Sequence, residues 1–205
     1  GKQFVRVPSC NTTGLVRTLS AVDSKVGVDY AFIALVRRAA DPWEHKKGPI
    51  NGINFSGVPS HHAPDVLTVL KHIKAFSMAM VVPTTLAHTH VLEVELKREA
   101  NAEELLEAFE RQTRVLPLSM KDYPSTSLVI EKFRDLGRPR YDMYEIAILK
   151  ESVHAEGRKA RWFQVVHQEA IVVPENMDAI RAVTGLEKDR WRSIEKTNRS
   201  LGILK

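Results

Sequence analysis

His90-Val91-Leu92-Glu93-Val94-Glu95-Leu96 is the stretch on which the reading of the fold turns. Side chains alternate faces along a strand, so Glu93 and Glu95 share one face while Leu92, Val94 and Leu96 share the other. A strand with one wet face belongs to a sheet that is largely antiparallel and covered on one side. Towards the N-terminus, Phe76–Val82 and the continuous apolar run Tyr30–Val36 read as further strands, and Gln3–Val7 is strand-like. Towards the C-terminus, Tyr144–Leu149 and Trp162–Val166 complete the set.

Helical patterns fall between these strands, at residues 12–24, 65–72, 101–111, 125–136, 174–182 and 188–201. Asn101 precedes Ala102-Glu103-Glu104, an N-cap with acids in the first turn, and Leu105, Leu106 and Phe109 mark the buried side. Gly137 stops the helix that begins at Ser125. Residues 41–60 hold Pro42, Gly48, Pro49, Gly52, Gly57 and Pro59, a long turn-rich segment of the kind that often carries function. There is no regular β-α-β rhythm, no internal repeat and no linker. The expected fold is therefore α+β: one domain over residues 1–205, with a largely antiparallel or mixed sheet and helices packed on one face.

Composition narrows the function classes. The chain has 205 residues, 43% of them hydrophobic and 27% charged, which suffices for one sizeable core. No apolar run is long enough for a transmembrane helix, and no membrane partner is expected. The first residues show no charged-then-apolar signal pattern. One cysteine excludes an internal disulfide and suits a reducing compartment, so the expected location is cytoplasmic. The net charge of +5 favours anionic partners. Its basic residues are interleaved with acids, as in Glu187-Lys188-Asp189-Arg190, so no specific nucleic acid is expected and a phosphorylated small molecule fits better.

The one cysteine stands in Ser9-Cys10-Asn11-Thr12-Thr13-Gly14, between the strand-like stretch and the first helix. Unpaired N–H groups and the helix dipole favour thiolate there, and thiolate is the form that attacks carbonyls. A lone cysteine is more often a small buried hydrophobe. The polar neighbours and the helix-start position weigh against that.

Arg37-Arg38 leaves a buried strand and can present forked donors to phosphate, or simply end the strand in solvent. His61-His62 sits in a proline-bracketed turn; Asp65 alone does not complete a metal set, so anion binding is the better reading and no metal is expected. His88 and His90 share a strand face, and either could be a base for Cys10 or a core histidine satisfied by backbone. Asn176 could equally be structural or ligand-binding. Neither a Gly-x-Gly-x-x-Gly turn nor a phosphate-binding P-loop is present, so the chain has no dinucleotide fingerprint of its own.

Taken in order, Ser9–Leu19, Arg37–Pro42, Lys47–Asn51, Pro59–His62, Val82–Leu86 with His88 and His90, Val166–Glu169, Pro174–Ala182 and Lys196–Lys205 resemble the catalytic, C-terminal part of archaeal-type glyceraldehyde-3-phosphate dehydrogenases. The resemblance covers essentially the whole chain, with departures at Ala63 and at Ala170-Ile171. It implies that family's C-terminal fold and phosphorylating oxidation of glyceraldehyde 3-phosphate. In that chemistry Cys10 forms a thiohemiacetal and then a thioester, and inorganic phosphate releases the acyl phosphate. His88 would be the base that activates Cys10 and assists hydride transfer.

By the same resemblance, Arg37, His61 and His62 would hold phosphate, Asn11 and Thr12 would flank the thiol, and Asn176 would orient the nicotinamide of NAD or NADP. It implies further that the chain's own N-terminal nucleotide-binding domain lies outside these residues, that the isolated chain does not turn over without it, and that the assembly is a homotetramer. A contrasting reading is a stand-alone anion- or RNA-binding module without redox activity. A third is another semialdehyde or sugar-phosphate dehydrogenase built on the same domain.

Overall fold

The computed structural model of the chain describes residues 4–39 and 51–204. Among them are six α-helices and an eight-stranded mixed sheet. Helix α1 (Cys10–Val26) leads into strand β1 (Val28–Arg38). The short β2 (Asn54–Phe55), helix α2 (His62–Leu67) and strands β3 (Lys74–Val82) and β4 (His88–Leu96) follow. Then come α3 (Ala102–Arg111), β5 (Val115–Leu118), α4 (Thr126–Asp135) and β6 (Ile146–Leu149). The chain closes with β7 (His154–Glu156), β8 (Lys159–Val166), α5 (Val173–Thr184) and α6 (Arg190–Leu201).

The strand order is β2-β3-β1-β4-β8-β6-β5, with β7 on the side of β8. Pairs β1·β3 and β5·β6 are parallel and the others antiparallel. The α+β class and mixed sheet agree with expectation. In β4, Leu92, Val94 and Leu96 are buried under α1, as the alternation requires. Helix α1 contributes Leu15, Leu19, Val22 and Val26, a spacing that lines one helical face. It lies close to the sheet at Gly14, where a Cβ would meet Ile146 at 2.8 Å and Val166 at 3.0 Å. Any side chain larger than glycine requires those neighbours to move.

Helix α4 lies on the opposite face at the β5–β6 end of the sheet. Its Val129, Ile130 and Phe133 pack with Ala147 and Val165, while the alternate residues Ile146, Ile148 and Val166 belong to the core beneath α1.

Some boundaries differ from expectation. Residues 4–9 form no strand: Phe4 is 86% exposed, and among the described residues no strand pairs with this segment. Helix α2 begins and ends earlier than Asp65–His72, because Pro64 needs no N–H in a first turn. Strands β2, β5 and β7 were not expected; β5 carries Pro117, tolerated because β5 is a sheet edge. The first half of the expected 41–60 loop lies outside the described residues.

Candidate functional site

Five segments meet at one end of the sheet. They are the start of α1, the end of β1, the turn into α2, the start of β4 and the residues following β8. The antiparallel pairing of β4 with β1 and β8 makes this unavoidable, since the C-terminal ends of β1 and β8 flank the N-terminal end of β4.

Cys10 opens α1, half-buried, behind the N-cap Ser9, whose Oγ accepts from the Thr12 N–H at 3.4 Å. Burial pushes its thiol above the ordinary value; the Asn11 N–H, Arg37 and its own N–H pull the other way, and Glu169 pushes up. The expectation that the helix start favours thiolate is met in sign by the backbone N–H groups, but desolvation outweighs them.

Arg37 faces this thiol, and its Nε is buried without a hydrogen-bond partner among the described residues. His61 is exposed and stacks on His62, ring centroids 4.0 Å apart. His88 is buried, and its Nδ1 accepts the Arg38 backbone N–H at 2.8 Å. The single proton of the neutral ring must then sit on Nε2, which has no partner among the described residues. Burial, reinforced by Arg37, Arg38, His62 and His167, lowers the His88 pKa to about 3. In this arrangement His88 offers a hydrogen-bond donor at Nε2.

Three other expected site residues are already engaged. Thr12 is fully buried, with its Oγ1 3.0 Å from Ser9 Oγ, so it builds the helix cap. The Asn11 amide contacts His90 Nε2 at 2.8 Å and His62 Nε2 at 3.3 Å. The other ring nitrogen of His62 meets Ser60 Oγ at 3.1 Å, leaving His62 no nitrogen free for an anion. Burial, with His61 and Arg37 nearby, lowers the His62 pKa to about 3. Among the described residues, Arg37 and His61 are the basic groups open to a ligand here.

Asn176 is exposed in the first turn of α5, where its Nδ2 donates to the Val172 carbonyl. Its helix is tied to α1 by the next residue back: Glu175 takes Arg17 Nη2 on both oxygens, at 2.6 and 2.7 Å.

Two contributors escaped the residue-by-residue reading. Glu169 pairs with Arg38 and lies 3.4 Å from His167, whose Nδ1 accepts the Met143 N–H. Gln164 bonds His90 across the β4·β8 pairing. The signal for Glu169 was its place just after a strand beside His167. For Gln164 there was a polar residue inside an apolar strand. Among the described residues, no three His, Cys, Asp or Glu side chains group as a metal set, and no helix is long and apolar enough to cross a membrane.

Comparison with known proteins bears on this site. Residues 9–136 match the family described as glyceraldehyde 3-phosphate dehydrogenase, C-terminal domain. The whole chain is 51% identical to a protein of Thermococcus kodakarensis named glyceraldehyde-3-phosphate dehydrogenase, covering 61% of that protein. Proteins of the same name from Pyrococcus furiosus and Methanobrevibacter smithii are 51% and 47% identical, again with 61% of their length covered. The chain thus spans about three fifths of the relatives it matches.

Proposed function

The chain belongs to the glyceraldehyde 3-phosphate dehydrogenase family through that family's C-terminal domain, and from this we propose that it is the catalytic half of a phosphorylating aldehyde dehydrogenase. The substrates of this reading are glyceraldehyde 3-phosphate and inorganic phosphate. The observation that carries it is the charge of Arg37 acting on both the Cys10 thiol at the start of α1 and His88, whose buried Nε2–H has no partner among the described residues.

In this reading the Cys10 thiolate adds to the aldehyde carbon, and the carbonyl oxygen takes the negative charge. A preorganised donor in a water-poor site stabilises such an oxygen strongly; the His88 Nε2–H suits that role. A nicotinamide cofactor, NAD or NADP, supplies the hydride acceptor when bound. Loss of hydride from the alkoxide form needs no further base, and a thioester remains on Cys10. Phosphate then attacks the thioester carbon, the C–S bond breaks, and thiolate leaves as the acyl phosphate forms. Arg37 and His61 hold the phosphate groups, while Asn11, Thr12 and His62 maintain the frame.

Asn176 fits the nicotinamide end, since it is exposed and its Oδ1 makes no hydrogen bond among the described residues. The dinucleotide itself would be held by a nucleotide-binding domain, a reading supported by the roughly two fifths of the relatives' length that the chain does not match. The groove between residues 5–8, α5 and α6, a cavity of about 470 Å³, supports a neighbour there. So do the exposed Ile180, Val183, Leu186 and Trp191. A thiol nucleophile also suits a reducing cytoplasm.

The test is oxidation of glyceraldehyde 3-phosphate with phosphate and either cofactor. The chain alone is expected to be inactive, because positioning the ring can account for up to about 7–11 kcal/mol of the barrier. Addition of a separately prepared nucleotide-binding domain is expected to restore turnover. Robust turnover without it would refute the division of labour.

A further inference from the structure

A chain of buried side chains runs from β8 through α1 to β3. Trp162 Nε1 lies 2.9 Å from Gln164 Oε1, Gln164 Nε2 lies 3.0 Å from His90 Nδ1, and His90 Nε2 lies 2.8 Å from Asn11 Oδ1. Asn11 Nδ2 then reaches His62 Nε2 at 3.3 Å, His62 Nδ1 reaches Ser60 Oγ at 3.1 Å, and Ser60 Oγ reaches Ser77 Oγ at 2.8 Å. Every side chain in the series is at most 4% exposed.

The direction of each bond follows from its first member. An indole N–H can only donate, so Gln164 must present its oxygen to Trp162 and its NH₂ to His90. His90 Nδ1 therefore accepts, and the neutral ring carries its proton on Nε2, which donates to Asn11 Oδ1. The Asn11 amide must then donate from Nδ2 to His62 Nε2. That leaves the His62 proton on Nδ1, donated to Ser60 Oγ. Ser60 donates to Ser77 Oγ, and Ser77 closes the series on the Ser60 carbonyl at 3.0 Å. No donor in this sequence faces a donor, and no acceptor faces an acceptor.

We propose that Gln164, His90 and His62 are positioning residues for Cys10, acting through this one-way relay to lock the Asn11 side chain and, with it, the backbone at the start of α1. The proposal rests on the reading of Cys10 as the nucleophile. Asn11 is the link because its side chain is the relay's midpoint, while its own N–H is the backbone group that most favours the Cys10 thiolate. A midpoint free to rotate would let that N–H drift from the sulfur. Other charges reach these groups too. Arg37 on β1 and Glu169 after β8 face Cys10; His88 and His62 face His90; His61 and Arg37 face His62. Of these groups only His62, the relay's next member, hydrogen-bonds the Asn11 amide among the described residues.

The relay requires a donor at the Nε2 position of residue 90, not an imidazole as such. A glutamine there carries an NH₂ at the corresponding place; a leucine does not. The chain has a single cysteine, so alkylation by iodoacetamide reports Cys10 alone. Across a pH series, His90→Leu is expected to raise the apparent thiol pKa by about one unit, making alkylation at a fixed lower pH about tenfold slower. His90→Gln is expected to restore the unchanged profile. Gln164→Met, which removes the donor to His90 Nδ1, is expected to shift the profile in the same direction as His90→Leu.

In the unchanged chain, ¹⁵N correlation spectra of the histidine rings are expected to show the His90 proton on Nε2 and the His62 proton on Nδ1. Identical profiles for the three variants, equal shifts for His90→Gln and His90→Leu, or the opposite tautomers would each overturn the relay. A Cys10 that resists alkylation at every pH while the tautomers stand as assigned would instead overturn the nucleophile reading.

Discussion

Opposing influences meet on the Cys10 sulfur. Burial holds its proton on, the Asn11 N–H and Arg37 favour its release, and Glu169 disfavours it. Each charge can be removed separately. Arg37→Gln is expected to slow Cys10 alkylation at neutral pH, and Glu169→Gln to quicken it, as followed by mass spectrometry. Changes in the same direction would mean that packing, rather than charge, governs the thiol. The histidines make a second prediction at this scale. His62, His88 and His90 are all held below the ordinary histidine range by burial. The unfolded chain therefore binds protons that the folded chain does not, once pH falls below about 6.5. Stability conferred by keeping these rings neutral is complete above that pH and is lost as pH falls towards about 3. The expected slope is about 1.4 kcal/mol per pH unit for each such histidine, read from urea unfolding in that window. A flat stability curve would contradict their buried, neutral state.

At the scale of elements, Arg17 is the pin that joins α1 to α5. Its guanidinium donates to the Tyr144 carbonyl at 2.7 Å, to the Ile171 carbonyl at 3.1 Å and to both Glu175 oxygens. Ile171 takes part through its backbone, so the departure at Ala170-Ile171 leaves this bond intact. Removing one member of a buried pair strands the other. Arg17→Met is accordingly expected to cost about 3–5 kcal/mol of stability by urea unfolding. Arg17→Lys should recover only part of it, because an ammonium cannot fork across carboxylate and carbonyls.

The elements also show what a linear reading can and cannot see. Asn101 and Ser125 each cap their helix from the side chain, as their residue types announce. The wet face of β4 was legible from Glu93 and Glu95 for the same local reason. Residues 4–7 mislead because apolar Phe4, Val5 and Val7 look like a strand, although a strand exists only where a neighbour pairs with it. Strand β5 hides behind Pro117. Cys10, His88 and Arg37 stand out as residue types in suggestive surroundings. Gln164 does not: its value comes from lying opposite His90 across β4 and β8, a register that only the folded sheet creates. The donor state of His88 is equally invisible beforehand, since it depends on one backbone N–H from Arg38.

For the whole molecule, the sheet face away from α1 offers a surface for other copies of the chain. Phe163, Val91, Ala34 and Met78 form one row across β8, β4, β1 and β3, and Phe32 stacks on Phe76 at 6.4 Å. Met78, Val91 and Phe163 are exposed there. This supports the proposed homotetramer, and Val91→Glu is expected to shift the sedimentation profile towards smaller species. A chain that is monomeric at high concentration without any substitution would count against it.

Acyl transfer from 1,3-bisphosphoglycerate tests Cys10 as the nucleophile without any nucleotide. Attack of the thiolate on the acyl carbon forms a C–S bond and releases phosphate. Intact-mass measurement should find one acyl group per chain, located on Cys10, absent from Cys10→Ser and formed more slowly in Arg37→Gln. A Cys10 that iodoacetamide alkylates but the acyl phosphate never acylates would mean that this thiol is not the acyl-accepting nucleophile.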